Sequence, residues 1–134
     1  MKTAVIYWSG TGNTEAMAKA AAEGANAELF AVSDFTGNAA DYDAFAFGCP
    51  AMGAEVLEEE EFEPFFTGIE SSLSGKKVLL FDSYGWGDGE WMRNWYDHTK
   101  AAGAELIGDE GFIVNEAPSD DDLANLKKIA SQLV

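Results

Sequence analysis

Three hydroxyls and two glycines stand in the stretch Ser9-Gly10-Thr11-Gly12-Asn13-Thr14, between the apolar run Ala4-Val5-Ile6-Tyr7-Trp8 and the helix-prone Glu15-Ala16-Met17-Ala18-Lys19-Ala20. A strand-to-helix turn of this composition points free backbone N–H groups and the positive end of a helix dipole at one spot, which holds a phosphate without a cation. A P-loop would carry Gly-Lys-Ser/Thr after its glycines, whereas Asn13 follows Gly12. A dinucleotide fingerprint wants a small third residue where helix and strand approach, and that position is Glu15. The spacing therefore points to a mononucleotide rather than to ATP or NAD. Two further stretches, Pro50-Ala51-Met52-Gly53-Ala54-Glu55 and Ser83-Tyr84-Gly85-Trp86-Gly87, offer flat apolar surfaces between which a planar ring can lie. Trp86 stands between glycines in a loop, where an aromatic ring needs a stacking partner, and Trp8 is placed to shield the phosphate turn.

The elements that must position these stretches follow from hydropathy and punctuation. Lys2 to Trp8 reads as a buried strand; Asn13 or Thr14 caps a helix through Met17 to Glu23, stopped by Gly24; Glu28 to Val32 is a second strand. After the polar stretch Ser33 to Asp43 comes a third strand, Ala44 to Cys49, ended by Pro50. Glu58 to Glu61 lead into a helix with Pro64 in its first turn. In it Phe62, Phe65, Phe66, Ile69 and Leu73 recur at helical spacing toward the core, and Gly75 ends it. Lys76 to Phe81 is a fourth strand, followed by a loop from Ser83 to Gly89 and a helix from Glu90 to Ala102, closed by Gly103. Trp91 and Trp95 at helical spacing read as core, as does Cys49, while His98 beside Asp97 reads as surface. A fifth strand comes in two pieces, Ala104 to Ile107 and Phe112 to Val114, with Gly108-Asp109-Glu110-Gly111 between them and Asn115 just beyond. Ser119 with Asp120, Asp121 and Asp122 opens a last helix whose stripe is Leu123, Leu126, Ile129, Ala130 and Leu133.

Five alternations of strand and helix in 134 residues predict one α/β domain, a doubly wound five-stranded parallel sheet of order 2-1-3-4-5 with helices on both faces. In that order the loops after strands one, three and four become neighbours at the carboxyl edge, beside the switch point between strands one and three. These are the three stretches singled out above.

Tyr7-Trp8-Ser9-Gly10-Thr11-Gly12-Asn13-Thr14-Glu15, Gly48-Cys49-Pro50-Ala51-Met52-Gly53 and Ser83-Tyr84-Gly85-Trp86-Gly87 resemble stretches of short-chain flavodoxins of anaerobic bacteria, and the resemblance covers essentially the whole chain. It implies a flavodoxin-like fold and a non-covalent FMN, with its phosphate in Ser9 to Thr14 and its isoalloxazine between Met52-Gly53 and Trp86. It further implies a one-electron carrier that shuttles between semiquinone and hydroquinone for redox partner proteins. By the same resemblance Glu55 accepts a hydrogen bond from the flavin N3–H, and the Gly53 carbonyl turns to meet the N5–H of the semiquinone. A peptide that flips in this way is least hindered where no Cβ penalises positive φ. Ala54 stands where relatives often carry a polar side chain, and Asp82 where glycine is expected before the Ser-Tyr-Gly-Trp loop. Asp82 either repels the phosphate or caps a neighbouring helix.

A net charge of −16 disfavours nucleic acid and anionic membranes as partners and favours basic ones, while 47% hydrophobic and 13% aromatic residues argue for a packed core rather than an acidic disordered chain. No apolar run of membrane-spanning length and no secretory leader is read here, and Cys49 has no partner cysteine, so a cytoplasmic monomer is expected. Acids cluster at helix starts, hence at the edge that holds the ligand, whereas Lys2, Lys76, Lys77, Lys100, Lys127 and Lys128 fall toward the opposite edge. With no cation expected near the ring, a low potential follows for the more reducing step. The alternative reading is a flavodoxin-like NAD(P)H quinone or nitro-compound reductase. Against it, the acidic edge offers no cation for a dinucleotide's phosphates. A phosphoacceptor domain of the same fold would need an acid where Cys49 stands.

Overall fold

The computed structural model describes residues 2–8, 13–35, 41–48, 62–84, 90–107, 111–115 and 118–133. In chain order these form β1 (Thr3–Tyr7), α1 (Asn13–Ala25), β2 (Glu28–Ala31), β3 (Ala44–Gly48), α2 (Phe62–Ile69), β4 (Lys77–Tyr84), α3 (Glu90–Ala101), β5 (Glu105–Leu106), β6 (Phe112–Asn115) and α4 (Asp120–Ala130). All strand pairs are parallel and the order is β2-β1-β3-β4-β5, with β6 also on β4. β5 and β6 pair opposite ends of one strand, Val78 with Leu106 and Phe81 with Phe112, so they are the two pieces of the expected fifth strand.

A chain that steps outward from β1 to β2 and then works the other way through β3, β4 and β5 must place its helices on opposite faces if every crossover is right-handed. Period-two alternation along the strands divides the core accordingly. Ala4, Ile6, Phe45, Phe47, Val78 and Leu80 join Phe66, Leu73, Met92 and Trp95 of the α2 and α3 side. Val5, Ala44, Ala46, Leu79 and Phe81 join Met17, Ala18, Ala21, Leu126, Ala130 and Leu133 of the α1 and α4 side. β3 thus turns two phenylalanines to one face and two alanines to the other. The large rings stack and cross one another, Phe45 on Phe47 at 5.3 Å and Phe47 against Phe66 at 5.3 Å, and Phe66 meets Trp95 at 5.6 Å. Of the residues expected on the core face of α2 and just beyond it, Phe66 and Leu73 are buried and Phe65 and Ile69 pack half-buried; the side chains of Phe62 and Trp91 lie outside the description.

Several boundaries differ from the sequence-based expectation, each for a physical reason. Gly24 does not stop α1, which runs to Ala25; Asn26, at φ 51°, takes the left-handed turn instead. A Cβ on Gly24 would run into the backbone of Lys127 in α4, so the glycine serves helix–helix approach. Asn13 and Thr14 are the first two residues of α1 rather than its cap. α2 begins at Phe62 with Pro64 in its first turn, as expected, but gives way at Glu70 to a 3₁₀ turn through Leu73, and Gly75 at φ 78° follows. β2 is shorter than expected, since Val32–Asp34 form a 3₁₀ turn. The largest difference is at β4, which runs through Asp82, Ser83 and Tyr84 instead of ending before a loop at Ser83. β6 lies alongside that extension and pairs it to Asn115, and a neighbour of this kind cannot be read from the local sequence. The start of α4 is as expected: Ser119 Oγ accepts from Asp122 N–H at 3.1 Å and Asp122 accepts from Ser119 N–H at 2.9 Å, a capping box.

At the opposite, amino edge of the sheet, the buried Tyr42 fastens three strands. Its hydroxyl donates to Glu28 at 2.6 Å, its carbonyl accepts from Lys76 Nζ at 2.7 Å, and Lys2 Nζ stands 5.1 Å over its ring. Burial, and then the hydrogen bond to Glu28, push the phenol up to about 12 from its ordinary 10. A group whose folded value is raised contributes stability below its unfolded value and loses it as the pH climbs through the folded one. Between pH 10 and 12, wild-type stability measured by denaturant titration is therefore expected to fall more steeply than that of Tyr42→Phe; parallel curves would contradict the assignment.

Candidate functional site

One rung of the sheet sets the geometry of the carboxyl edge. Ala31, Tyr7, Gly48, Phe81 and Phe112 are consecutive partners across β2, β1, β3, β4 and β6. Just past that rung Trp8 N–H donates to the Gly48 carbonyl at 3.0 Å, which holds the end of β1 against that of β3. β4 continues for three more residues, which at about 3.3 Å each carries it roughly 10 Å beyond its neighbour β3. In a parallel strand, both main-chain groups of a residue face the same side. Val78 accepts from Ile107 on the β5 side, so Ser83, five residues on, presents its N–H and C=O to the other side, past the end of β3.

α1 opens at the same edge, after Tyr7's neighbour Trp8 and the four-residue link 9–12. Its first N–H groups have no intrahelical acceptor, and Thr14, only 1% exposed, sits in that first turn. Glu15 is engaged by Lys19 at 3.1 Å on the outer side of the helix. At the end of β1, burial and then the Glu15 carboxylate push the Tyr7 phenol up, with Lys19 acting the other way, so this hydroxyl stays protonated beside the site.

Of the residues expected to hold a cofactor, Trp8 packs half-buried against the α2 and α3 core, Asn13 and Thr14 open α1, and Ser83 and Tyr84 lie in the extension of β4. Ser9, Gly10, Thr11, Gly12, Pro50, Ala51, Met52, Gly53, Ala54, Glu55, Gly85, Trp86 and Gly87 lie outside the described residues, as do Cys49 and Glu58 to Glu61. Asn115, the last residue of β6, is paired with Tyr84 and so ends at the same edge. Gly48 and Phe81 are not among the residues expected to hold a cofactor, yet they meet closely at this edge. A Cβ on Gly48 would enter the Phe81 ring, and the only local sign was a glycine closing an aromatic strand.

The amino edge carries Lys2, Lys76, Lys77, Lys100, Lys127 and Lys128, as expected, but Glu23, Glu28, Asp41, Asp43 and Glu105 lie there with them. Lys127 pairs with Glu23 at 2.9 Å and Lys76 is bound to a carbonyl. Among the described residues, that edge is therefore close to neutral rather than positive. Arg93, exposed in the first turn of α3, is a cation at the carboxyl edge that the charge reading left out. His98 is exposed as expected, yet its Nε2 lies 2.8 Å from Glu70 Oε2 and ties α3 to the end of α2. Among the described residues no cluster suited to a metal ion occurs and no helix is long and apolar enough to cross a membrane.

A buried hydroxyl and the N–H groups of a helix start, with no lysine among Asn13 to Ala18, form a donor set that fits a phosphate monoester. The position at the switch point between β1 and β3 fits a nucleotide-like ligand outside the strand ends. Fold and site together define a mononucleotide-binding protein of the doubly wound class. The family model for flavodoxin matches residues 5–128. A flavodoxin of Megasphaera elsdenii is 50% identical over 122 residues, 87% of this chain and 88% of that protein. A flavodoxin of Clostridium beijerinckii is 45% identical over 118 residues, 84% and 86% of the two. The solution structure of two-electron reduced Megasphaera elsdenii flavodoxin superimposes with a TM-score of 0.85 at 43% identity, covering 97% of this chain and 98% of that one. The chain belongs to the flavodoxin family, whose members bind FMN and transfer electrons.

Proposed function

We propose that residues 1–134 form a single FMN-binding domain acting as a low-potential one-electron carrier, a cytoplasmic monomer that serves redox partner proteins and has no substrate of its own. The observation that carries this reading is the convergence of a cation-free helix start with the exits of β1, β3 and β4 at one edge. Bound there, FMN supplies one-electron chemistry between its semiquinone and hydroquinone states. The chain's part is to bind and tune. Ser9 to Thr14 hold the phosphate by hydroxyls and N–H groups, Trp8 shields that turn, Met52-Gly53 and Trp86 cover the ring's two faces, and Glu55 accepts from its N3–H. Pro50, Ala51 and Ala54 flank the ring on one side, and Ser83 and Tyr84 at the end of β4, with Gly85 and Gly87 after them, on the other. Acids at the helix starts repel further negative charge on the ring, which favours a strongly reducing couple.

Anaerobic reductive titration followed by absorbance tests the reading. Long-wavelength absorbance of a neutral one-electron-reduced flavin supports it; a colourless protein that takes up no FMN overturns it. Steady NAD(P)H-dependent turnover of a quinone or nitro compound would favour the reductase instead, a reading weakened by the scarcity of cations at the carboxyl edge. Because partners dock by this proposal at an acidic rim, the rate of electron transfer to a basic acceptor protein is expected to drop as ionic strength rises from about 0.01 to 0.15 M, where the Debye length shrinks from ~30 to ~8 Å. A salt-independent rate would remove the acidic edge as the docking surface.

A further inference from the structure

Gly48 and Phe81 are adjacent on the last rung before the chain leaves β3, and both are buried. A side chain on Gly48 would overlap Cε2 and Cζ of the Phe81 ring, so the ring occupies the space that any other residue at position 48 would claim. On the other side Gly48 is fixed by its carbonyl, which accepts from Trp8 N–H at 3.0 Å. Phe81 has no freedom to withdraw: it is 0% exposed, lies within the core that includes Met17 and Ala18 of α1, and is flanked on its own rung by Phe112.

We propose that Phe81 is a positioning residue for FMN, acting through Gly48. Its ring pins the point from which the chain departs toward Met52, Gly53 and Glu55, on the same rung that ends β1 just before the phosphate turn. The inference rests on the FMN-binding reading above. Nothing in it requires Phe81 to touch the cofactor. A ring resting on a glycine is a fit in which one side supplies the volume the other lacks, so changes to the two residues must compensate.

The test is a double-mutant cycle on the full chain, reading FMN affinity by quenching of flavin fluorescence and stability of the apoprotein by denaturant titration. Gly48→Ala, which forces the ring aside, and Phe81→Leu, which leaves the glycine unsupported, are each expected to raise the FMN Kd by about tenfold. The Gly48→Ala/Phe81→Leu protein, in which the new methyl group fills the space vacated by the ring, is expected to return to within about threefold of wild type. Leu126→Ala, a truncation in the same core on α4 away from the carboxyl edge, is expected to lower apoprotein stability and leave the Kd unchanged. Should Gly48→Ala fail to fold, the comparison of Phe81→Leu with the double variant decides alone. Single variants that bind FMN like wild type, a double variant no better than Phe81→Leu, or an equal loss of affinity in Leu126→Ala would each overturn the proposal. A wild-type protein that takes up no FMN would overturn the FMN-binding reading, and this inference with it.

Discussion

Gly24→Ala is expected to destabilise the protein by about 1–3 kcal/mol, against the direction that helix propensity alone would give. In an exposed helix interior, replacing glycine by alanine gains about 1 kcal/mol. Here Gly24 lies inside α1, and an added Cβ would overlap the carbonyl oxygen, carbonyl carbon and Cα of Lys127. A flexible side chain could rotate away from a methyl group, but these are main-chain atoms of a helix. α4 can yield only by lifting as a body, which would loosen the core that Leu126 and Ala130 share with Ala21 and Ala25 and stretch the 2.9 Å pair between Lys127 and Glu23. A midpoint of urea unfolding lowered at unchanged slope is the expected result, and a raised midpoint would mean that the two helices do not approach this closely.

Thr14→Val should raise the Kd for FMN by roughly 10- to 100-fold, the worth of a hydrogen bond to a charged group being about 1.5–3 kcal/mol. The substitution keeps the branched shape and removes only the hydroxyl. Thr14 is 1% exposed in the first turn of α1, where helix N–H groups and hydroxyls are the donors a phosphate dianion needs and where no lysine stands in. With so few charges available, each neutral donor carries a larger share of the binding. Thr14→Ser, which restores the hydroxyl, should recover most of the affinity. Titration of the apoprotein with FMN measures both; an unaltered Kd in Thr14→Val would place the phosphate elsewhere.

The acid distribution has one consequence beyond docking. The amino edge is close to neutral because Glu23, Glu28, Asp41, Asp43 and Glu105 offset its six lysines. If partners dock as proposed, a basic partner is oriented by attraction at the carboxyl edge, without repulsion from a positive pole behind it.

The architecture was legible along the chain because each signal for it is local. Buried strands show as short apolar runs, the capping box as Ser119 with Asp122, the helical stripe of α4 as Leu123, Leu126 and Ile129, and the strand order follows from length and crossover handedness. The candidate phosphate turn is likewise read from six consecutive residues, Ser9 to Thr14, of which Asn13 and Thr14 lie among the described residues. Tertiary structure alone decided what depends on a neighbour distant in sequence. Gly24 reads as a helix stop until α4 is seen lying against it, Ser83 and Tyr84 read as loop until β6 pairs them into the sheet, and Gly48 reads as one more residue of a strand until the Phe81 ring is found in the place of its side chain. Propensity and periodicity register what a residue does to its own segment. Volume exclusion and ladder pairing are properties of two segments at once, and they set where the strands stop and therefore where a cofactor can sit.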